Sequence, residues 1–221
     1  MDDRDLVLAA RAAIEIKNRE YADDPYAWAR ERVKTQDEAT QRLEMFPDWD
    51  YIKDLYECLN EEQMVVIPKS RRMFVSWAVS IYFLHRIRYH PHNAVYWQSL
   101  TEERAAYIVD QRCALVENNL EGLWRKKYKP IKTKSGLIGK IVYEETGSYM
   151  LAIPQGDDQI RSLTPSALVC DEMDFQPEAQ AALKAALSTV EKNMTMVLVT
   201  TSNGPNHPVA DICKGVGFTR F

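Results

Sequence analysis

Residues Met64–Trp77 restrict this chain more than any other stretch. An apolar strand runs into a short basic loop, and the loop runs into a segment of helical character. That is the layout of a nucleotide-binding phosphate loop. The usual loop sequence is G-x-x-x-x-G-K-S/T, and the match is partial. Lys69 stands at the first glycine, Phe74 at the second and Val75 at the lysine, while Ser76 alone agrees. The cationic charge has moved rather than vanished. Lys69, Arg71 and Arg72 carry it at the front of a loop that also includes Ser70 and Met73. A basic turn before a core helix would give much the same string, so the loop needs support from the rest of the chain.

Around it, residues 1 to about 60 read as helical, with Leu6, Ala9, Ala10, Ala13 and Ile14 at helix spacing and Pro25 and Pro47 as punctuation. From residue 61 to 221 the pattern alternates. Strands are expected at 65–67, 94–98, 167–170 and 196–199, and a hairpin at 140–153 turning at Thr146–Gly147. Helices are expected at 74–89, from Thr101 onward with Thr101 as N-cap, and at 177–192. Continuously apolar strands alternating with helices imply an α/β fold whose mainly parallel sheet is covered on both faces.

Two further strand ends carry chemistry. Ala167–Cys170 is apolar and ends in Asp171–Glu172, the Walker B pattern. A buried strand there delivers Asp171 to Mg²⁺ and leaves Glu172 to polarise an attacking water. Val199 is followed by Thr200, Thr201, Ser202 and Asn203, whose hydroxyls suit contact with that water or with a γ-phosphate, although such residues are also ordinary at the end of a strand. In the loop, Lys69 or Arg72 can supply the phosphate cation, and Ser76 the metal-binding hydroxyl. Singly these motifs are weak, but together on one parallel sheet they support one another.

In the order Lys69–Arg72, Asp171–Glu172, Thr200–Ser202, the chain resembles the N-terminal ATPase domain of the large terminase subunit of tailed phages. The resemblance extends over most of residues 34–203. It implies a P-loop NTPase of the additional-catalytic-glutamate type with a helical N-terminal segment, taking ATP as substrate and Mg²⁺ as cofactor. By the same resemblance Gln36 reads the adenine edge, Lys69 is the functional lysine, Thr200, Thr201 and Ser202 couple hydrolysis to motion, and Arg161 acts on the nucleotide of a neighbouring subunit. Implied partners are double-stranded DNA, a portal protein, a small terminase subunit and further copies in a ring. The implied setting is the host cytoplasm, with transient docking on the viral procapsid. Family members carry a C-terminal nuclease domain, and no acidic metal constellation follows Ser202, where Asp211 stands alone; the chain therefore reads as the ATPase half. Two other functions remain open: a helicase-like translocase outside packaging, and a nucleotide- or DNA-binding module whose altered loop no longer supports hydrolysis.

Bulk properties exclude several classes. The net charge of −4 gives no global nucleic-acid signature, so any such contact needs a local patch. Arg125, Lys126, Lys127, Lys129, Lys132 and Lys134 form one around Trp124 and Tyr128; a solvated loop is the commoner outcome for such a run, and contact with phosphates the alternative. The four cysteines are scattered, which predicts reduced thiols, with Cys170 in the core. The four histidines lack metal-ligand spacing. The longest apolar stretch is too short to span a bilayer.

Overall fold

A computed structural model describes residues 3–37, 39–156, 165–175, 194–201, 209, 212–213 and 217–221. The chain opens with α1 (Asp3–Asp23) and α2 (Pro25–Arg32), then the short strands β1 (Lys34–Gln36) and β2 (Leu43–Met45), then α3 (Asp50–Glu61). The helical reading of the first 60 residues is therefore corrected at 34–45 by a β1–β2 hairpin. Its cause is local. The Asp37 carboxylate accepts from the amides of Ala39 and Thr40 at 3.1 and 2.6 Å, which stabilises a turn in place of another helical turn. α2 starts where expected from Pro25, capped by Asp24, whose side chain accepts from Ala27 N. α1 is helical as its spacing predicts, but Leu6, Val7 and Leu8 are exposed.

β3 (Met64–Lys69) leads through the basic loop into α4 (Val75–Tyr89), and β4 (Ala94–Ser99) follows. α5 (Glu102–Ile108), a π turn (Val109–Ala114) and α6 (Leu115–Asn119) make one long helix. Thr101 caps it as anticipated, accepting from Arg104 N at 3.2 Å. Then come β5 (Lys129–Lys132), β6 (Ile138–Tyr143), β7 (Ser148–Pro154), β8 (Ala167–Asp171), β9 (Thr195–Thr201) and β10 (Thr219–Arg220). The basic run 125–134 thus contains an edge strand, which the sequence did not reveal because lysine disfavours strands. The helix expected at 177–192 lies outside the described residues.

The eight strands of the main sheet are ordered β10-β3-β9-β8-β4-β7-β6-β5. From β10 to β7 all pairings are parallel, while β6 pairs antiparallel with both β7 and β5. Alternate residues of the central strands enter two separate cores. Val65, Ile67, Trp97, Val169 and Val197 pack with α4 on one face. Val66, Tyr96, Leu168, Met196 and Leu198 form the other. Both faces are buried, as continuous apolar strands require. This is the P-loop type of sheet, and it fixes the C-terminal ends of β3, β9 and β8 side by side.

Far from those ends, α4 is anchored by Arg88, which is 1% exposed. Its guanidinium pairs with Glu117 and also donates to Trp124 O. His85, one turn earlier, meets the carbonyl of Tyr21 at 2.6 Å through Nε2.

Candidate nucleotide site

Register explains why distant parts of the sequence meet. Lys69 is paired with Thr201 on β9, and Asp171 with Val199 on the other side of the same strand. Lys69 and Glu172 are therefore two strands apart, about 10 Å between backbones, a gap that two long side chains can close. They do: Lys69 Nζ lies 3.1 Å from Glu172 Oε1. The lysine side chain is 11% exposed and the glutamate 37%. Lys69 and Glu172 thus belong to one site.

Asp171 ends β8 and is buried. Burial raises its carboxyl above the ordinary value, the positive charges of Arg112 and Lys69 oppose the rise, and the negative charge of Glu172 adds to it. Arg112 comes from the π turn, and its guanidinium also lies 5.2 Å from the centre of the Trp77 ring. No sequence signal pointed to Arg112, because the π turn changes helix phase at that residue.

In the loop itself, Ser70, Arg71, Arg72 and Met73 are exposed, Phe74 and Ser76 half-buried and Val75 buried. Val75 at the usual lysine position is thus a core residue. Phe74, at the second glycine position, has φ 57° and ψ 0°, and Arg72 has φ 63°. These are left-handed conformations that glycine adopts freely and an L side chain adopts at a cost of about 1–2 kcal/mol each. The loop thus keeps a glycine-like backbone geometry at a residue that is not glycine, under strain. Aromatic packing holds it. The Phe74 ring is 5.6 Å from Phe46, 5.8 Å from Trp49 and 6.1 Å from Trp77, the last nearly parallel. The Tyr51 hydroxyl donates to Met73 O at 2.8 Å and pins the loop from α3. These supports were not identified from sequence, although Phe46 and Trp49 lie within five residues of Tyr51 and Trp77 within three of Phe74.

Beside the loop is a cavity of about 530 Å³, lined among others by Gln36, Met45, Pro47, Trp49, Arg72 and Phe74. The expected adenine-side segment and the loop therefore face one space, of a size that suits a small-molecule ligand. Gln36 Nε2 donates to Gln41 O at 3.1 Å, so part of its amide is occupied in holding the hairpin. Another cavity, of about 430 Å³ around His85, Arg86 and Asn93, contains none of the loop or Walker B residues.

Thr200 is fully buried, and its hydroxyl accepts from Asp174 N at 3.1 Å. It staples β9 to the turn that follows Glu172. Thr201 is half-exposed at the strand end. Arg161 and Ser202 fall outside the described residues. Among the described residues no group of three or more His, Cys, Asp and Glu could hold a metal. Mg²⁺ with a nucleotide does not need one, since it takes one or two protein oxygens, phosphate oxygens and water. Ser76 in the first turn of α4 and the Asp171 carboxylate fit that demand. No described helix is long and apolar enough to cross a membrane. All four cysteines are free, with Cys170 buried as expected.

The sheet, the loop at the end of β3 and the acidic tip of β8 define a P-loop NTPase fold. No family model matches the sequence, and no curated protein matches it. Solved structures do. A large terminase from a thermophilic bacteriophage, in complex with ADP, aligns with a TM-score of 0.61 at 10% identity, over 79% of this chain and 45% of that one. The large terminase of bacteriophage HK97 gives 0.62 at 13% identity, over 87% and 41%. A mutant ATPase domain of the Thermus phage P74-26 large terminase gives 0.52 at 12% identity, over 73% and 68%. The chain has the fold of large-terminase ATPase domains, and its match spans less than half the length of the first two structures.

Proposed function

We propose that this chain is an ATP hydrolase and acts as the motor domain of a large terminase, driving double-stranded DNA into a procapsid. The observation that carries the hydrolase reading is the meeting of Lys69 and Glu172 at 3.1 Å, on the sheet edge where this fold class binds ligands. The assignment to packaging is supported by the fold shared with large terminases.

In this reading the base of ATP lies in the cavity between Gln36 and Phe74, and the phosphates lie along the loop. Lys69 contacts the β- and γ-phosphates, with Arg72 assisting. Ser76 and Asp171 would hold Mg²⁺, which would offset the phosphate charge. Glu172 accepts a proton from a water as that water's oxygen bonds to the γ-phosphorus. The bond from the γ-phosphorus to the bridging oxygen breaks, and ADP leaves with that oxygen. Thr201 sits next to Lys69 in the sheet, where a hydroxyl can sense the γ-phosphate. Arg161, supplied to a neighbouring copy in a ring, completes that copy's site. A portal protein and a small terminase subunit would be the assembly partners, on a procapsid in the host cytoplasm.

Glu172→Gln tests the core of this proposal. It should still bind nucleotide while turnover falls about 10²- to 10⁴-fold. Single-turnover hydrolysis at the wild-type rate in that variant would remove Glu172 from the role.

A further inference from the structure

The outermost strand of the sheet carries a row of cations that the site does not use. Arg125, Lys127, Lys129, Lys132 and Lys134 are all exposed. The ion pairs among the described residues involve none of them. Lys126 differs: it turns inward, donates to Arg88 O at 3.2 Å and lies 3.8 Å from Glu145. The protein as a whole has net charge −4, so this is a local concentration of positive charge on an acidic molecule.

Lysines on an edge strand commonly serve to discourage edge-to-edge aggregation. Two would suffice on the four residues of β5, yet the charges continue before the strand and into the turn after it. That turn is built rather than slack. Thr133 N donates to Leu137 O at 2.8 Å, Gly136 N donates to Thr133 O at 3.1 Å, and Asp110 Oδ1 accepts from Ile138 N at 3.2 Å. Lys132 and Lys134 are therefore displayed on a fixed backbone, which lowers the ordering cost of binding.

Topology places them usefully. β5 is antiparallel to β6, and β6 is antiparallel to β7, so β5 runs in the direction of the parallel strands. Its C-terminal end, with Lys132 and the Lys134 turn, lies on the same edge as Lys69 and Glu172. Four strand spacings separate β5 from β8, or about 19 Å. Lys129 to Lys132 spans about 10 Å, roughly the rise of three base pairs.

We propose that the β5 edge, from Arg125 through Lys134, is the surface on which this chain holds the phosphate backbone of double-stranded DNA. Only the identity of the polymer rests on the function proposed above; the charge and its placement do not. The contact reads phosphates and not base sequence.

Salt titration of the 221-residue chain with a mixed-sequence DNA duplex, in the absence of nucleotide, tests this. In the combined variant Lys129→Ala, Lys132→Ala, Lys134→Ala, duplex affinity at low salt should drop at least about tenfold, and the slope of log affinity against log salt should become shallower by about 2.7. The corresponding triple Lys→Arg variant should retain both. DNA-free ATP hydrolysis should be the same in the triple alanine variant as in wild type. Because binding is read without nucleotide, a chain that fails to hydrolyse ATP leaves this result intact. Failure of the wild type to bind the duplex, or an unchanged slope and affinity in the alanine variant, would overturn the proposal. So would a variant whose self-association changes while its DNA affinity does not, since the edge would then be a protein interface.

Discussion

Two lysine- or arginine-to-glutamate pairs stand near opposite ends of α4, and they do different work. Arg88–Glu117 is 1% and 0% exposed, and its guanidinium is further fixed by Trp124 O and by the faces of Trp28 and Tyr89. Lys69–Glu172 is 11% and 37% exposed and joined at one contact. A charge buried with several partners cannot exchange them without a large desolvation cost, whereas a part-exposed pair with one contact can. The pair at one end of the helix is therefore fixed by burial, and the pair at the other is open to solvent.

Substitutions can break this contrast. Lys69→Ala should abolish ATPase activity, by about 10³-fold or more, yet change unfolding free energy by no more than about 1 kcal/mol. Near-normal hydrolysis in that variant would move the phosphate contact to Arg71 or Arg72. Glu117→Ala should do the reverse. It leaves Arg88 buried without its carboxylate and should cost about 3–5 kcal/mol in denaturant unfolding. If the stability losses of the two variants were equal, the contrast would fail.

A pH titration sharpens the description of the permanent end. Burial pulls His85 down to about 3, opposed by the Tyr21 carbonyl and reinforced by the nearby charges of His90, Arg88 and Lys126. The folded form keeps this ring neutral, while the unfolded chain takes up a proton below about 6.5. Stability from this group is therefore present above 6.5 and lost as pH falls toward 3, at up to roughly 1.4 kcal/mol per pH unit. His85→Gln should flatten that slope in unfolding curves recorded between these limits, and an unaltered slope would assign it to other groups.

The smallest effect concerns the loop. Glycine usually destabilises relative to alanine, but the left-handed backbone at residue 74 reverses the order. Phe74→Gly should be more stable than Phe74→Ala by about 1 kcal/mol. The usual order would show that the loop leaves this conformation once the ring is gone.

How much of this was legible beforehand depended on the range of the interaction. Apolar runs announced β3, β4, β8 and β9, because burial on both faces writes itself into composition. The Asp171–Glu172 tip and Lys69 were legible as a pair because strand ends in such sheets converge. The β1–β2 hairpin was hidden: it rests on turn contacts of Asp37 and Gln36 and on three-residue strands too short to show a period. The left-handed backbone of Phe74 was hidden because residue type alone says that this region is disfavoured, and only the rings of Phe46, Trp49 and Trp77 show how it is maintained. β5 was obscured by its lysines, since an open edge strand has no need of apolar alternation.

The narrow edge beside β3 has a mechanical consequence. β10 adds only two residue pairs to β3, with Phe221 N donating to Val66 O at 3.0 Å, while β9 adds six on the other side. A load applied at residue 221 would be carried first by those two pairs, and they would yield before the strand that bears Lys69 was displaced. β10 would then act as a mechanical fuse between residue 221 and the loop that follows Lys69, passing on small forces and releasing under large ones.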